Sequence, residues 1–483
     1  MLLRQSSRMT VYGAGLLIAG RWLGVSATAQ ELEIAISPTP VGSGARAAGM
    51  ADAFVAIADD ATAASWNPAG LVQLEKPEFS IVGSYNGVFE SFEADYHDEV
   101  ESDHQAHNFD LNYASFVYPL PFLVFGRNAS LALNYQRKYD FSRDFTLDYT
   151  LASATSRGRL LTRLLTMEFE QDGGLSTITP AFALEITHRF SIGASLNLWR
   201  SSFLSENSWN QTIRLDEIDM LWPMLSVLNR ETKEKYRDFS GDNLTLGVLW
   251  NFADKWNFGA RYDTAFTGEA DYRRIETRTT SVFPLAGFRG SLTGAARDVR
   301  EKRHVRFPDS LALGLAYRAN DRLTVSADVT RTDWNDFYVK DGNGQRYSLV
   351  DFGNRNTRWT RTHFDPTYTA RLGFEYVFVP EQPDEELNRL WTLRGGVFYD
   401  EEPATGKSEG FKGWVRDAGS GDPDGFYGVA AGLGLLAHHR VNIDLAYQLR
   451  YAENVNRDFI RGVRGFREDV AQHRVLLSTV VYF

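Results

Sequence analysis

Fourteen short segments in which apolar and polar residues alternate run along this chain to its last residue, Phe483, and that period constrains the fold more than any other feature. Side chains alternate faces along a β-strand, so a period of two gives one greasy face and one wet face. Within 439–452, Val441, Ile443, Leu445, Tyr447 and Leu449 fall on one side. Asn442, Asp444, Gln448 and Arg450 fall on the other. The same device separates Phe190, Ile192, Ala194, Leu196 and Leu198 from Ser191, Gly193, Ser195 and Asn197. It also separates Leu323, Val325, Ala327 and Val329 from Thr324, Ser326, Asp328 and Thr330. The expected strands are 78–88, 107–118, 128–139, 175–187, 188–202, 240–252, 255–267, 305–318, 321–334, 367–379, 389–401, 425–437, 439–452 and 470–483.

Connection lengths say which solvent the greasy face meets. Thr187-His188-Arg189, Ala253-Asp254-Lys255, Asn320-Asp321-Arg322 and His438-His439-Arg440 are tight turns, whereas 140–174, 203–239, 268–304 and 335–366 are long and polar. Short turns at one end and long loops at the other are the pattern of bacterial outer-membrane barrels. An even strand number leaves both termini on the short-turn side. The expected fold is therefore all-β: a fourteen-stranded antiparallel transmembrane β-barrel. No run of 18 apolar residues follows the leader, so a membrane helix is not expected. Aromatics make up 13% of the chain, and Trp250, Trp256, Trp391, Tyr399 and Tyr482 sit near strand ends, where interfacial girdles form. Leu445, near the middle of its strand, is expected to face lipid, and its neighbours Asp444 and Ala446 to tolerate polar replacement.

Residues 1–29 read as a secretory signal peptide: Arg4 and Arg8, an apolar core from Val11 to Gly20, then Ala27-Thr28-Ala29 at the cleavage site. Their removal takes away three Arg and no acid, moving the formal charge from −11 to −14. Acidity at that level argues against nucleic-acid partners. With no cysteine, thiolate catalysis, thiolate metal sites and disulfide frameworks all fall away.

Residues 30–76 differ from everything after them. Gly42 to Leu71 is alanine-rich, helix-forming material in an otherwise all-β chain, with small residues that suit a compact plug inside a pore. Asp59 or Asp60 is placed to cap a short helix ending near Trp66. Asn67 followed by Pro68 is a second start signal, with proline where its missing N–H costs nothing. Gly70 lets the chain turn toward the first strand. A periplasmic cap outside the barrel would use the same residues. Phe54, Asp59, Asp60, Trp66, Asn67, Pro68 and Gly70 are the candidate gating residues of this helical hatch, and 77–483 is the barrel.

Gly44-Ala45-Arg46-Ala47-Ala48-Gly49-Met50, then Ala53-Phe54-Val55-Ala56 and Ala58-Asp59-Asp60-Ala61, closing on Asn67-Pro68-Ala69-Gly70-Leu71, resembles the amino-terminal signature of the FadL/TodX outer-membrane transporters. The resemblance implies a fourteen-stranded barrel plugged by an amino-terminal hatch, and passive inward movement of long-chain fatty acids or aromatic hydrocarbons. It also implies an inward kink in the third strand beside the hatch, taken as a lateral exit. Here 129–139 contains neither Gly nor Pro to make such a kink. Barrel subunits of a secretion machinery carry a similar alanine-rich start, so a non-transporting scaffold is the alternative.

Two features bear on cargo. Leu160, Leu161, Leu164, Leu165 and Met167 recur at helical spacing in one long loop, and Ile218, Leu221, Trp222, Leu225 and Leu228 in another. Apolar patches on loops bind something or pack on each other. Leu164, Leu165, Leu221, Trp222 and Leu225 are the candidate landing site. On the expected lumen face lie Trp199, Leu249, Phe398, Leu436, Leu476 and Val480 beside Arg394, Arg450 and Arg474. Trp199, Phe398, Arg450 and Arg474 are the candidate ligand contacts, suited to a hydrocarbon with a carboxylate head, although contact with the plug would explain them too. Asp95, His97, Asp98, Glu99, Glu101, Asp103 and His104 crowd one loop densely enough to hold Ca²⁺, yet such runs are ordinarily solvated. No nucleophile elbow, His-Glu-x-x-His or phosphate loop is present, so no enzyme activity, metal or cofactor is expected. The expected partners are a hydrophobic small molecule, outer-membrane lipid and lipopolysaccharide, and the barrel-assembly machinery through the strand ending at Phe483.

Overall fold

The computed structural model describes residues 42–154, 158–204, 206–284, 290–347, 364–379, 389–404, 411, 412, 415, 416, 422–456, 463 and 465–483. The expected signal peptide and the hatch residues up to 41 lie outside them. The chain begins with helix α1 (Ala45–Gly49), helix α2 (Ala63–Trp66) and a 3-10 turn (Pro68–Gln73). Strands follow: β1 (Glu78–Glu93), β2 (Ser102–Pro119), β3 (Ala129–Asp140), β4 (Arg143–Ala154), β5 (Leu160–Thr187), β6 (Phe190–Trp199), β7 (Ser208–Leu221) and β8 (Met224–Ala253). Next come β9 (Trp256–Asp263), β10 (Phe266–Pro284), β11 (Ser291–Phe307), β12 (Ser310–Arg318), β13 (Leu323–Thr332), β14 (Tyr338–Lys340), β15 (Arg346–Tyr347) and β16 (Thr367–Phe378). The last are β17 (Arg389–Glu402), β18 (Phe411–Lys412), β19 (Val415–Arg416), β20 (Asp424–Ala437), β21 (Val441–Val455) and β22 (Arg467–Tyr482).

Antiparallel ladders join β1, β2, β3, β5, β6, β8, β9, β12, β13, β16, β17, β20, β21 and β22 in that order. The last strand pairs with the first, from Glu78↔Tyr482 to Glu93↔Arg467, and closes a ring of fourteen. Every expected strand forms part of that ring. Closure leaves no wall edge unpaired, which a sheet in hydrocarbon requires.

Burial across the wall is inverted relative to a soluble sheet. On β21, Ile443, Leu445 and Tyr447 are exposed, Leu445 by 49%, while Asp444, Ala446 and Gln448 are almost fully buried. On β6, Ile192 and Leu196 are exposed and Ser191, Ser195 and Asn197 buried. A greasy exterior around a polar interior is stable only in lipid. Trp250, Trp256 and Trp391 lie exposed at the short-turn end, as a girdle should, but Tyr482 turns inward against the hatch. Leu445→Arg should therefore cost about 2–4 kcal/mol, read by denaturant titration of the folded band. Asp444 and Ala446 are not the tolerant controls expected of them. Asp444 accepts a 2.7 Å bond from Arg394, and Ala446 packs on Ala45 and Ala48.

The long polar stretches 140–174, 203–239 and 268–304 are largely strand, not loop. The ladder β4–β5–β7–β8–β10–β11–β14–β15 carries the same sheet outward beyond the ring. β8 alone has 30 residues, about 100 Å at 3.3 Å per residue, against a hydrocarbon core of about 30 Å. Inside this extension Phe92, Phe145, Leu147, Leu165, Met167, Phe169, Ile213 and Leu215 form a core of their own.

Candidate functional site: the hatch and the lumen above it

The hatch is compact because small residues let its turns approach closely. Trp66 sits edge-on to Phe54 at 6.3 Å and donates its indole N–H to the Ser43 carbonyl at 2.9 Å. Thr62, not Asp59 or Asp60, occupies the N-cap of α2. Asp60 supports that turn from outside, accepting from the Thr62 amide at 2.8 Å and the Thr62 hydroxyl at 2.6 Å. Asn67 and Pro68 behave as the sequence suggests: Asn67 caps the 3-10 turn through the Ala69 amide at 3.1 Å, with Pro68 in its first position. Gly70 is required by a close approach, not by a turn, because a Cβ there would strike the Ala58 carbonyl.

This segment lies inside the ring, since the wall holds it from all round. Tyr113 and Ser115 on β2 both donate to the Ala61 carbonyl at 2.9 Å. Ser191 and Ser195 on β6 bond the carbonyls of Ala69 and Ala64. The Asn67 amide donates to Val248 on β8 at 2.9 Å, and the Val55 amide to Asp328 on β13 at 2.9 Å. Gln448 on β21 donates to the Ala48 carbonyl at 2.9 Å. Three cross-strand glycine pairs of the wall, Gly193/Gly247, Gly259/Gly314 and Gly373/Gly396, make room for this backbone. A Cβ at Gly259 would collide with the Val55 carbonyl, and one at Gly373 with that of Met50. Gly259→Val and Gly373→Val should each displace the hatch and give a leak current in planar bilayers, with the wall intact by circular dichroism.

One charged chain ties hatch to wall. Arg46 grips Glu375 on β16 through Nε at 2.8 Å and Nη2 at 2.9 Å, and reaches Asp59 at 2.7 Å. Glu375 also accepts from Arg394 on β17 at 2.7 Å, and Arg394 bonds Asp444 on β21 at 2.7 Å. A fork-on-carboxylate contact fixes direction as well as distance. Asp52 meets Gln448 at 3.2 Å and Arg474 at 3.5 Å. Ala51, Asp52 and Ala58 all have positive φ without being glycine, which stores backbone strain inside the hatch.

Above the hatch the lumen holds two cavities that share Asp52 and Arg371 in their walls. The first, about 200 Å³, brings together Phe398, Arg450 and Arg474, three of the expected ligand contacts. It is more charged than the expected apolar lumen. Arg450 is already matched by Asp400 at 2.8 Å and Glu402 at 2.6 Å, and Arg143 by Glu90 at 2.6 Å and Glu468 at 2.9 Å. Trp199 lies on the second cavity, about 140 Å³, beside Tyr139, Phe266, Phe307 and Trp334. Those rings belong to one buried block with Phe141, Trp209, Tyr236 and Phe239. Leu476 and Val480 do face inward, but they pack against the hatch.

Residues 41–456 match the family described as Outer membrane protein transport protein (OMPP1/FadL/TodX). The chain belongs to that family. It is a bacterial outer-membrane barrel of the FadL/TodX kind, and the family consists of transport channels. A Pseudomonas aeruginosa FadL homologue aligns at TM-score 0.52 and 15% identity, over 92% of this chain and 99% of that one. The Pseudomonas putida toluene transporter TodX gives 0.50 and 16%, over 92% and 98%. At such identity the likeness is one of fold. No curated protein sequence matches the chain.

Two further features of this FadL/TodX barrel depart from expectation. The apolar stretches of the long loops have strand geometry, so residues read at helical spacing split between two faces. Leu164 pairs with Ile218 on the outer face, both exposed, whereas Leu165 is buried in the extension. Trp222 stands at the hairpin tip, 76% exposed, with Leu221 and Leu225 half-buried beside it. The third strand carries a register shift without Gly or Pro. Its ladder with β2 runs only from Tyr113↔Gln136 to Pro119↔Ser130, with Asn112 skipped on β2 and Lys138 on β3. Bulges bend a strand as a kinking residue would. The β2–β3 ladder ends beside the hatch, where Asn112 donates to the Gly42 carbonyl at 3.0 Å.

Proposed function

We propose that the protein lets hydrophobic compounds diffuse across the outer membrane, with residues 42–74 as the moving gate. The observation that carries this reading is the contrast between two layers of the lumen. A ring-rich apolar block lies above the hatch, and the hatch below is held to the wall by hydrogen bonds and ion pairs that can exchange with water as well as by small apolar contacts. Aromatic surfaces receive apolar cargo with few polar groups to desolvate, which favours a monoaromatic hydrocarbon or the tail of a fatty acid. Strain at Ala51, Asp52 and Ala58 supports a hatch with a second arrangement within reach. Where the β2–β3 ladder ends, parting Arg137 from Asp110, now 3.3 Å apart, would open a sideways path toward lipid. No energy input is called for, since the gradient of a poorly soluble compound suffices.

Capture begins at the extension tip, where Leu164, Ile218, Met220 and Trp222 are exposed together. Changing Leu164, Leu221, Trp222 and Leu225 to Ser should slow uptake several-fold at low ligand concentration and little at saturation, because a landing patch raises encounter frequency only. Phe483, exposed at the end of the closing strand, is available to the barrel-assembly machinery, and the outer wall to lipopolysaccharide. The deciding experiment reconstitutes the protein in liposomes and follows entry of toluene and of hexadecanoate. Entry above protein-free vesicles supports transport. No entry of either, with a stoichiometric envelope protein co-purifying, would favour the scaffold.

A further inference from the structure

Most of the inward-facing arginines already have carboxylates. Arg46, Arg143, Arg261, Arg394 and Arg450 each lie within 3.0 Å of one. On the second cavity, Lys138 and Arg371 do not. Among the described residues neither has a carboxylate within 4.0 Å or a hydrogen-bond partner. Lys138 falls on the same alternation as Ala132, Asn134 and Gln136, which face inward. The ladder to β5 pairs Arg137 with Ser176 and Tyr139 with Leu175 and skips Lys138, so the bulge brings Tyr139 inward beside it. The Lys138 side chain lines the aromatic cavity.

The other charges around that cavity have partners, with one carboxylate oxygen of Asp52 left buried without a hydrogen bond. Arg261 and Asp263 are paired at 2.9 Å, and Asp52 meets Arg474. Glu401 accepts from the Tyr368 amide at 2.9 Å and the Tyr399 hydroxyl at 3.0 Å. The rings that line the same cavity are nearly parallel: Trp199 stacks on Phe266 at 5.0 Å and 21°, and Phe266 on Phe307 at 5.1 Å and 10°. A volume of about 140 Å³ suits one six-membered ring, since a cavity of about 150 Å³ holds benzene. A long acyl chain would leave most of its length outside.

We propose that this cavity binds a single-ring carboxylate, its anion seated on the Lys138 ammonium and its ring beside Tyr139, Trp199, Phe266 and Phe307. The proposal rests on the transport reading above and narrows its cargo. A charge-assisted bond to a carboxylate compensates the cation, which a neutral hydrocarbon cannot do. Arg371, shared by both cavities, is then the next cation on the way to the polar chamber.

The test uses the full-length protein in lipid nanodiscs and equilibrium dialysis with benzoate, benzyl alcohol, toluene and hexadecanoate. Benzoate should bind the parent at least about tenfold tighter than benzyl alcohol, a comparison that needs no variant. Lys138→Gln should abolish that preference and Lys138→Arg should keep most of it; heat-shifted gel mobility confirms that each variant is folded. Benzoate binding no tighter than benzyl alcohol, or an unchanged preference in folded Lys138→Gln, would overturn the proposal. If toluene or hexadecanoate binds and crosses but benzoate does not, this inference fails alone. If none of them binds or crosses, the transport reading fails with it.

Discussion

Deleting residues 42–74 while keeping the leader and β1 should turn a nearly silent protein into an open, poorly selective pore, raising single-channel conductance by at least about tenfold. The size of the effect follows from the barrel. A closed ring of fourteen strands is wider than an eight-stranded one, whose interior side chains just fill it, so it needs a separate filler. The hatch supplies that filler: Phe54, Met50 and Leu71 are fully buried and pack with Ala181, Ala183, Ala316 and Val480 of the wall. The wall itself should survive, because its ladders close without help from the hatch. A deletion that conducts no more than the parent would place the barrier elsewhere in the lumen.

Arg46→Ala should be the most disruptive single change inside the hatch. Arg46 faces Glu375, Asp59 and Asp60 together, at 2.8, 2.7 and 3.7 Å, with its side chain 17% exposed. Removing one partner of such a group strands the others, and costs of 3–5 kcal/mol are typical of fully buried pairs. Arg394 continues to hold Glu375, so a loss of about 3 kcal/mol in hatch docking is expected. That would raise the undocked population about a hundredfold. Arg46→Lys should recover only part, because an ammonium cannot grip Glu375 through two nitrogens. Noisy leak currents and faster amide exchange confined to residues 43–74 would register the loss. Asn67→Ala with Pro68→Ala should also loosen the hatch, by about 1–2 kcal/mol for the cap and more for the lost bonds to Val55 and Val248.

The wall was legible because lipid imposes a period of two on every strand, and fourteen repetitions of a weak signal make a strong one. The segment 42–74 stood apart because alanine-rich sequence is out of place among strands. What escaped depends on register across strands far apart in the chain. Gly193 and Gly247, or Gly373 and Gly396, are unremarkable alone; only their pairing shows that the wall thins to admit the hatch. Arg46 was visible as a lone early charge among alanines, but nothing local joins it to Glu375. The outward sheet was mistaken for loops because its strands carry charge on one face and bury apolar residues on the other. Leu160, Leu161, Leu164 and Leu165 fit a helical spacing as readily as a strand. Lys138 shares the inward parity of Asn134 and Gln136, but nothing local shows that no carboxylate reaches it.

The central claim is that cargo passes only when the hatch moves, and a chain without cysteine allows a direct test. Ala48→Cys with Gln448→Cys places two thiols where the Gln448 side chain now reaches the Ala48 carbonyl. Oxidising them to a disulfide pins hatch to wall without touching the extension or the aromatic block. Toluene entry into liposomes, compared before and after bridging and against each single variant treated alike, is the measurement. Gating by the hatch predicts that entry falls to the protein-free rate only in the bridged double variant. Entry that continues unchanged with the hatch pinned would contradict the account.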